Sequence, residues 1–139
     1  MIALDTNVLV RAIASEPDAD ATAKSQARKA RNLLSSGRDL FVPVTVVIEL
    51  EWVMRSVYAM SREELASVFD DLLAVENIKV DRAGAVSQAL SWYREGLDFS
   101  DALHLAQSAL CAGMATFDAR FAKAARRLKL KPEVMTPAA

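Results

Sequence analysis

At 139 residues, with 53% hydrophobic and 25% charged side chains, the chain has the balance of one globular domain and too much apolar content for a disordered segment. A formal net charge of -1 excludes a generic polycationic nucleic-acid coat, and no apolar run reaches the roughly 18 residues needed to span a bilayer. The single cysteine, Cys111, excludes an internal disulfide; within an apolar helical run it reads as a buried, inert thiol of a reducing compartment. With no basic stretch followed by an apolar leader at the start, a cytoplasmic location is expected.

In chain order, Ile2 to Leu4 reads as a short strand and Asn7 to Ala14 as a helical turn or two, interrupted by Glu16-Pro17-Asp18. A long alanine-rich helix runs to about Leu34 and stops at Ser35-Ser36-Gly37. Leu40 to Val42 is a second strand. Pro43 opens a helix from Val44 to about Tyr58, with Val46, Leu50, Val53 and Val57 at helical spacing. Ser61 with Glu64 forms a capping box for a helix to about Val75. Asn77 to Val80 is a third strand, Ala83 to Glu95 a helix stopped by Gly96, and Ser100 to Ala112 a helix stopped by Gly113. Ala115 to Phe117 is a fourth strand, Ala119 to Leu128 a last helix, and Glu133 to Met135 a possible edge strand. Strands alternating with helices predict an α/β fold with a parallel sheet covered by helices, in one domain spanning residues 1–139.

Acidic residues mark the junctions. Asp5 follows the first apolar run, Glu49 lies in VVIELEWV, Asp101 in DFSDALHLA and Asp118 in MATFDARF. In a parallel sheet the carboxyl ends of the strands face the usual site, so these side chains are expected to converge. Carboxylates crowded without counter-charge repel, and at least one takes up a proton unless Mg²⁺ or Mn²⁺ supplies the missing charge. The pattern therefore points to metal-assisted phosphoryl chemistry.

Each acid also has a plainer reading. Asp5 suits a helix N-cap, although Thr6 and Asn7 beside it place a hydroxyl and an amide on the same turn. Glu49 is flanked by Ile48 and Leu50, with Thr45 one turn earlier as a possible hydrogen-bond donor; Glu51 is expected to face solvent. Asp98 and Asp101, three residues apart, read as a cap and its partner, with Asp101 toward the metal and Asp98 in a capping or supporting role. Thr116 precedes Asp118 on the same strand face. His104, the lone histidine, reads as a core or rim residue. Lys24, Arg28, Lys29 and Arg31 read as a solvated helix face, whereas Arg120 and Lys123, opening a basic C-terminal run, are expected to flank the acidic crevice and neutralise phosphates of a bound strand.

Taken together, LDTNVLVR, the Thr45–Glu49 pair, DFSDALHLA and TFDARF resemble the PIN-domain fold, and more narrowly the VapC toxins of bacterial toxin–antitoxin pairs, over essentially the whole chain. The resemblance implies a three-layer α/β/α domain with a central, mostly parallel sheet of four or five strands. It matches Asp5, Glu49, Asp101 and Asp118 to the family's acidic quartet, Thr6 and Asn7 to its first polar pair, and Thr116 to the hydroxyl beside the last acid. The implied activity is Mg²⁺- or Mn²⁺-dependent endoribonuclease cleavage, restrained by a cognate antitoxin. A homodimer is expected from the resemblance and from the crowding of Trp52, Val53, Tyr58 and Met60. Leu9, Val47, Leu50 and Val53 are expected to offer the antitoxin a groove. Two alternatives stay open: an RNA-processing PIN nuclease outside any toxin pair, and a non-catalytic RNA-binding module. An aspartyl-phosphate phosphatase fits less well, because it needs an acid where Asn7 stands.

Overall fold

The computed structural model describes residues 1–138. Seven helices and five strands alternate along them. The chain divides into two compact units, Met1–Ala83 and Gly84–Ala139.

The first unit contains β1 (Ile2–Ala3), α1 (Thr6–Ile13), α2 (Ala21–Leu34), β2 (Leu40–Val42), α3 (Val44–Ser56), α4 (Arg62–Ala74) and β3 (Ile78–Val80). The strands form a ladder in the order β1-β2-β3. Both pairings are parallel, with Ile2 opposite Leu40 and Leu40 opposite Ile78. Parallel neighbours cannot be joined by a tight turn, so each connection is a helical crossover, α1–α2 and then α3–α4. Leu4, Leu40 and Val42 on the sheet are buried together with Leu9, Leu50 and Phe69 on the helices. Because the three strands run the same way, the residues that follow them, Asp5, Pro43 and Asp81, leave from the same edge of the ladder.

Helix starts in this unit are closed by side chains. Asp5 caps α1 and Asp20 caps α2. Ser61 and Glu64 make the expected capping box on α4, with Glu64 N–H donating to Ser61 Oγ at 3.1 Å and Ser61 N–H to Glu64 Oε1 at 3.2 Å. Pro43 gives α3 no side-chain cap. Asp81, just past β3, does this instead: its Oδ2 accepts the Val44 N–H at 3.3 Å, and its own N–H donates to the Val42 carbonyl at 2.9 Å.

The rotation of α3 differs from expectation. Its buried stripe is Val47, Leu50, Glu51 and Met54, not Val46, Leu50, Val53 and Val57, and Val57 is 62% exposed. Glu51, expected in solvent, is 2% exposed and pairs with Arg55 one turn later, Nε to Oε2 at 2.8 Å. Glu49 is exposed. The physical reason is that apolar residues occupy nearly every side of this helix, so spacing alone does not fix which stripe turns inward. The expected antitoxin groove is corrected by the same burial: Leu9, Val47 and Leu50 are core residues.

The second unit contains α5 (Ala83–Arg94, of which Gly84 onward belongs here), α6 (Phe99–Ala106), β4 (Gly113–Ala115), α7 (Ala119–Arg127) and β5 (Glu133–Met135). β4 and β5 pair in parallel, Gly113 opposite Glu133 and Ala115 opposite Met135. Gly96 ends α5 as expected: its φ of +106° is open to glycine and strained for other residues. On either side of it Tyr93 and Phe99, both buried, meet edge to face with ring centroids 5.5 Å apart.

Two boundaries shift here. α6 ends at Ala106 rather than Ala112; the chain then passes into turns, where the Ser108 hydroxyl donates to the His104 carbonyl at 2.8 Å. Cys111, beyond that end, is exposed rather than buried. Gly113 is the first residue of β4, two residues earlier than expected, and not a helix stop. A Cβ there would lie 2.5 Å from Met135 Cε and 3.2 Å from the Glu133 carbonyl oxygen, so glycine sets the approach of β5. Among the described residues no helix is long and apolar enough to cross a membrane.

The α3 ion pair yields a stability contrast. Arg55→Met takes one charged partner from the buried Glu51 carboxylate and should cost about 1–3 kcal/mol. Glu49→Gln, on the exposed side, should stay within roughly 0.5 kcal/mol of the parent. Urea unfolding of the two variants separates them, and equal midpoints would refute the observed rotation.

Candidate functional site

In the first unit the site residues flank the carboxyl edge of the ladder. Asp5 is exposed, and its Oδ1 accepts the Thr6 N–H at 2.7 Å. Thr6 is 5% exposed, and its Oγ1 is buried with no hydrogen-bond partner among the described residues. A hydroxyl left so costs about 1–3 kcal/mol, which marks the position as short of a polar partner. Asn7 is exposed and borders a groove between α1 and α2 with Val8, Gln26 and Lys29. Thr45 and Glu49 lie one turn apart on α3, both exposed, on the face opposite its buried stripe. Asp81 was overlooked in the sequence, although it repeats the signature of an acid directly after a strand; by holding the first N–H of α3 it sets the direction of the helix that carries Glu49.

In the second unit the acids are brought together. Asp98 caps α6, its Oδ2 accepting the Asp101 N–H at 3.1 Å, so the capping role assigned to it is observed. Asp101, in the first turn, is half-buried. Its carboxyl is raised above the ordinary aspartate range, first by burial and then by the charges of Asp98 and Asp118, with His104 partly offsetting them. Asp118 caps α7: Oδ1 accepts the N–H groups of Arg120 at 3.0 Å and Phe121 at 3.2 Å. The Asp118 N–H donates in turn to Thr116 Oγ1 at 3.0 Å. Asp101, His104, Ser108 and Thr116 border one open depression. Histidine 104 thus stands on the rim of an acidic surface. Arg120 and Lys123 are exposed on α7.

Capping and cation binding do not compete for the same atom. The caps formed by Asp5 and Asp118 engage Oδ1, and a carboxylate has a second oxygen with lone pairs of its own. Among the described residues no group of three or more His, Cys, Asp or Glu side chains is set to hold a metal ion. The donor chemistry nonetheless suits a hard divalent cation: the oxygens are carboxylate and hydroxyl, Asp101 sits in an excess of negative charge, and the Thr6 hydroxyl lacks a partner.

The raised Asp101 carboxyl carries a pH signature. Its folded pKa lies above the unfolded value of 3.8, so the folded chain binds that proton more tightly and the ionised form weakens the fold. The penalty is absent below the unfolded value and complete above the folded one. Asp101→Asn should therefore raise the melting temperature at pH 7 in chelator and leave it unchanged near pH 3. A variant less stable than the parent at pH 7 would contradict the crowding.

No curated protein and no solved structure matches the chain significantly. The sequence profile of the PIN domain matches residues 2–127, and PIN domains are in general metal-dependent nucleases. The parallel strands, the alternating helices and the acids at their junctions agree with that match: the chain belongs to the PIN domain family.

Proposed function

We propose that the chain is a metal-dependent endoribonuclease and the toxin of a toxin–antitoxin pair of the VapC type, acting in the cytoplasm. The observation that carries this reading is Asp101, partly buried and faced by Asp98 and Asp118, its carboxyl held above the ordinary range first by that burial and then by the two neighbouring charges, in a chain of the PIN family. Carboxylates arranged at a cost to the fold are the usual mark of a site built for a positive charge.

Asp5, Glu49, Asp101 and Asp118 would hold Mg²⁺ or Mn²⁺. Bound there, the cation supplies the charge that polarises a scissile phosphate and acidifies an attacking water. The chain's own residues do the positioning. Asp98 ties down the first turn of α6 and with it the backbone of Asp101. Thr116 fixes the loop that presents Asp118, and Asp81 anchors the helix bearing Glu49. Thr6 and Asn7 orient water at the first junction, Thr45 supports Glu49, and Arg120 and Lys123 receive phosphates of the strand being cut.

Two partners complete the reading. A second copy would cover α3, where Trp52 is 56% and Val57 62% exposed, and a homodimer needs such an apolar centre. A cognate antitoxin would place a basic side chain over the acids, since a guanidinium satisfies crowded carboxylates for the same electrostatic reason as a cation.

Cleavage is tested with purified chain on defined RNAs. Products should form with Mg²⁺ or Mn²⁺ and vanish with chelator. Asp5→Asn and Asp101→Asn should each lower the rate at least a hundredfold while circular dichroism stays unchanged, and expression of the parent, but not of these variants, should arrest growth. Near-normal cleavage by either variant sinks the ligand assignment; cleavage without growth arrest removes the toxin and leaves the nuclease. The dimer is tested separately by light scattering at micromolar concentration, where Trp52→Asp should convert a twofold mass to the monomer, and a monomeric parent would end that reading.

A further inference from the structure

The ring of Phe117 stands 84% exposed in the short loop between β4 and α7, one residue before Asp118. An aromatic side chain this open forfeits most of the gain that burial would give it, and the next helix presents an unusual surface beside it. The nine residues of α7 carry four cations and no acid, in a chain whose net charge is -1. Phe121, Ala122 and Ala125 form the buried face of α7. At 3.6 residues per turn, Arg120, Lys123 and Arg127 project within about 60° of one another on the opposite side. All three are exposed, and none is in an ion pair among the described residues. The stripe runs along roughly 10 Å of helix, enough for two or three phosphates of an extended strand.

We propose that Phe117 and the Arg120–Lys123–Arg127 stripe form a docking surface for single-stranded RNA, one base stacking on the ring while successive phosphates follow the cations. This rests on the reading of RNA as the substrate, and adds the form in which it is held. Two features of the surface favour a strand over a duplex. A flat exposed ring needs an unstacked base to stack on, which paired RNA withholds, and the stripe is a single row, matching one backbone rather than the two that border a duplex groove. The surface begins one residue from Asp118, so a strand held by it is delivered to the acid that ends the same loop.

The test measures binding of a fluorescent RNA oligonucleotide to the full chain in chelator, where cutting is suppressed. Phe117→Ala and Phe117→Leu should each weaken binding about tenfold, and Phe117→Tyr should restore it, because stacking needs the ring rather than apolar bulk. Replacing Arg120, Lys123 and Arg127 together by glutamine should flatten the dependence of log affinity on log salt by about 2. Thermal melting of each variant should match the parent, since none of the four side chains is buried. Parent-like binding by Phe117→Leu, or equal affinity for a duplex of the same sequence, overturns the proposal; a ring that serves a protein partner gives that first result. A parent that binds single strands with this Phe117 dependence yet cuts nothing with Mg²⁺ or Mn²⁺ leaves the surface in place and removes the cleavage reading.

Discussion

Every helix begins with backbone N–H groups that have no carbonyl to receive them, and in this chain aspartates meet most of that demand. Asp5, Asp20, Asp98 and Asp118 each close the helix they precede, and Asp81 closes one from a distance. The arrangement has a consequence for chemistry. A capping carboxylate is held at a junction by the backbone itself, with one oxygen committed and the other available, so the requirement that orders the helices also fixes acidic groups in place. In the first unit Asp5 and Asp81 lie where parallel strands end; in the second Asp98 and Asp118 crowd Asp101.

That double duty explains how much was legible. The alternation of strand and helix, the capping box at Ser61 and the stop at Gly96 follow from local chemistry within a few residues, and the structure contains them. Asp98 as a cap was legible for the same reason. The rotation of α3 was not, because a helix apolar on most sides gives no contrast between its faces; only its packing in the fold, which turns Val47, Leu50, Glu51 and Met54 inward, decides it. The end of α6 was not legible either, because Gln107 to Ala112 contain no helix breaker before Gly113. Gly113 was misread because glycine marks both a helix stop and a close approach of two strands, and only the position of Met135 tells them apart. Asp81 passed unseen because its partner, Val44, is thirty-seven residues away in the chain.

The two units distribute their electrostatics differently. In the first, the surroundings of Asp5 and Glu49 are open to solvent, which screens them, and the unusual feature is a neutral one, the unpaired hydroxyl of Thr6. In the second, Asp101 is partly withdrawn from solvent and feels the charges of Asp98 and Asp118. A fold that tolerates such crowding is less stable than its packing alone would make it. Tension of this kind is common where a protein is arranged for a ligand rather than for itself.

The narrowness of the gap beside Gly113 reaches further than one strand. The Thr116 N–H donates to the Met135 carbonyl at 2.9 Å, and Thr116 in turn holds the Asp118 N–H. The separation of β4 from β5 is thus a gauge read out at a carboxylate. A methyl group added at Gly113, remote in sequence from every acid but Asp118, would turn the flexible end of Met135 aside and press the Glu133 carbonyl back slightly, a small shift passed toward the loop through a hydrogen-bonded chain. The last strand, carrying no acid of the candidate quartet, serves as the ruler against which one of them is set.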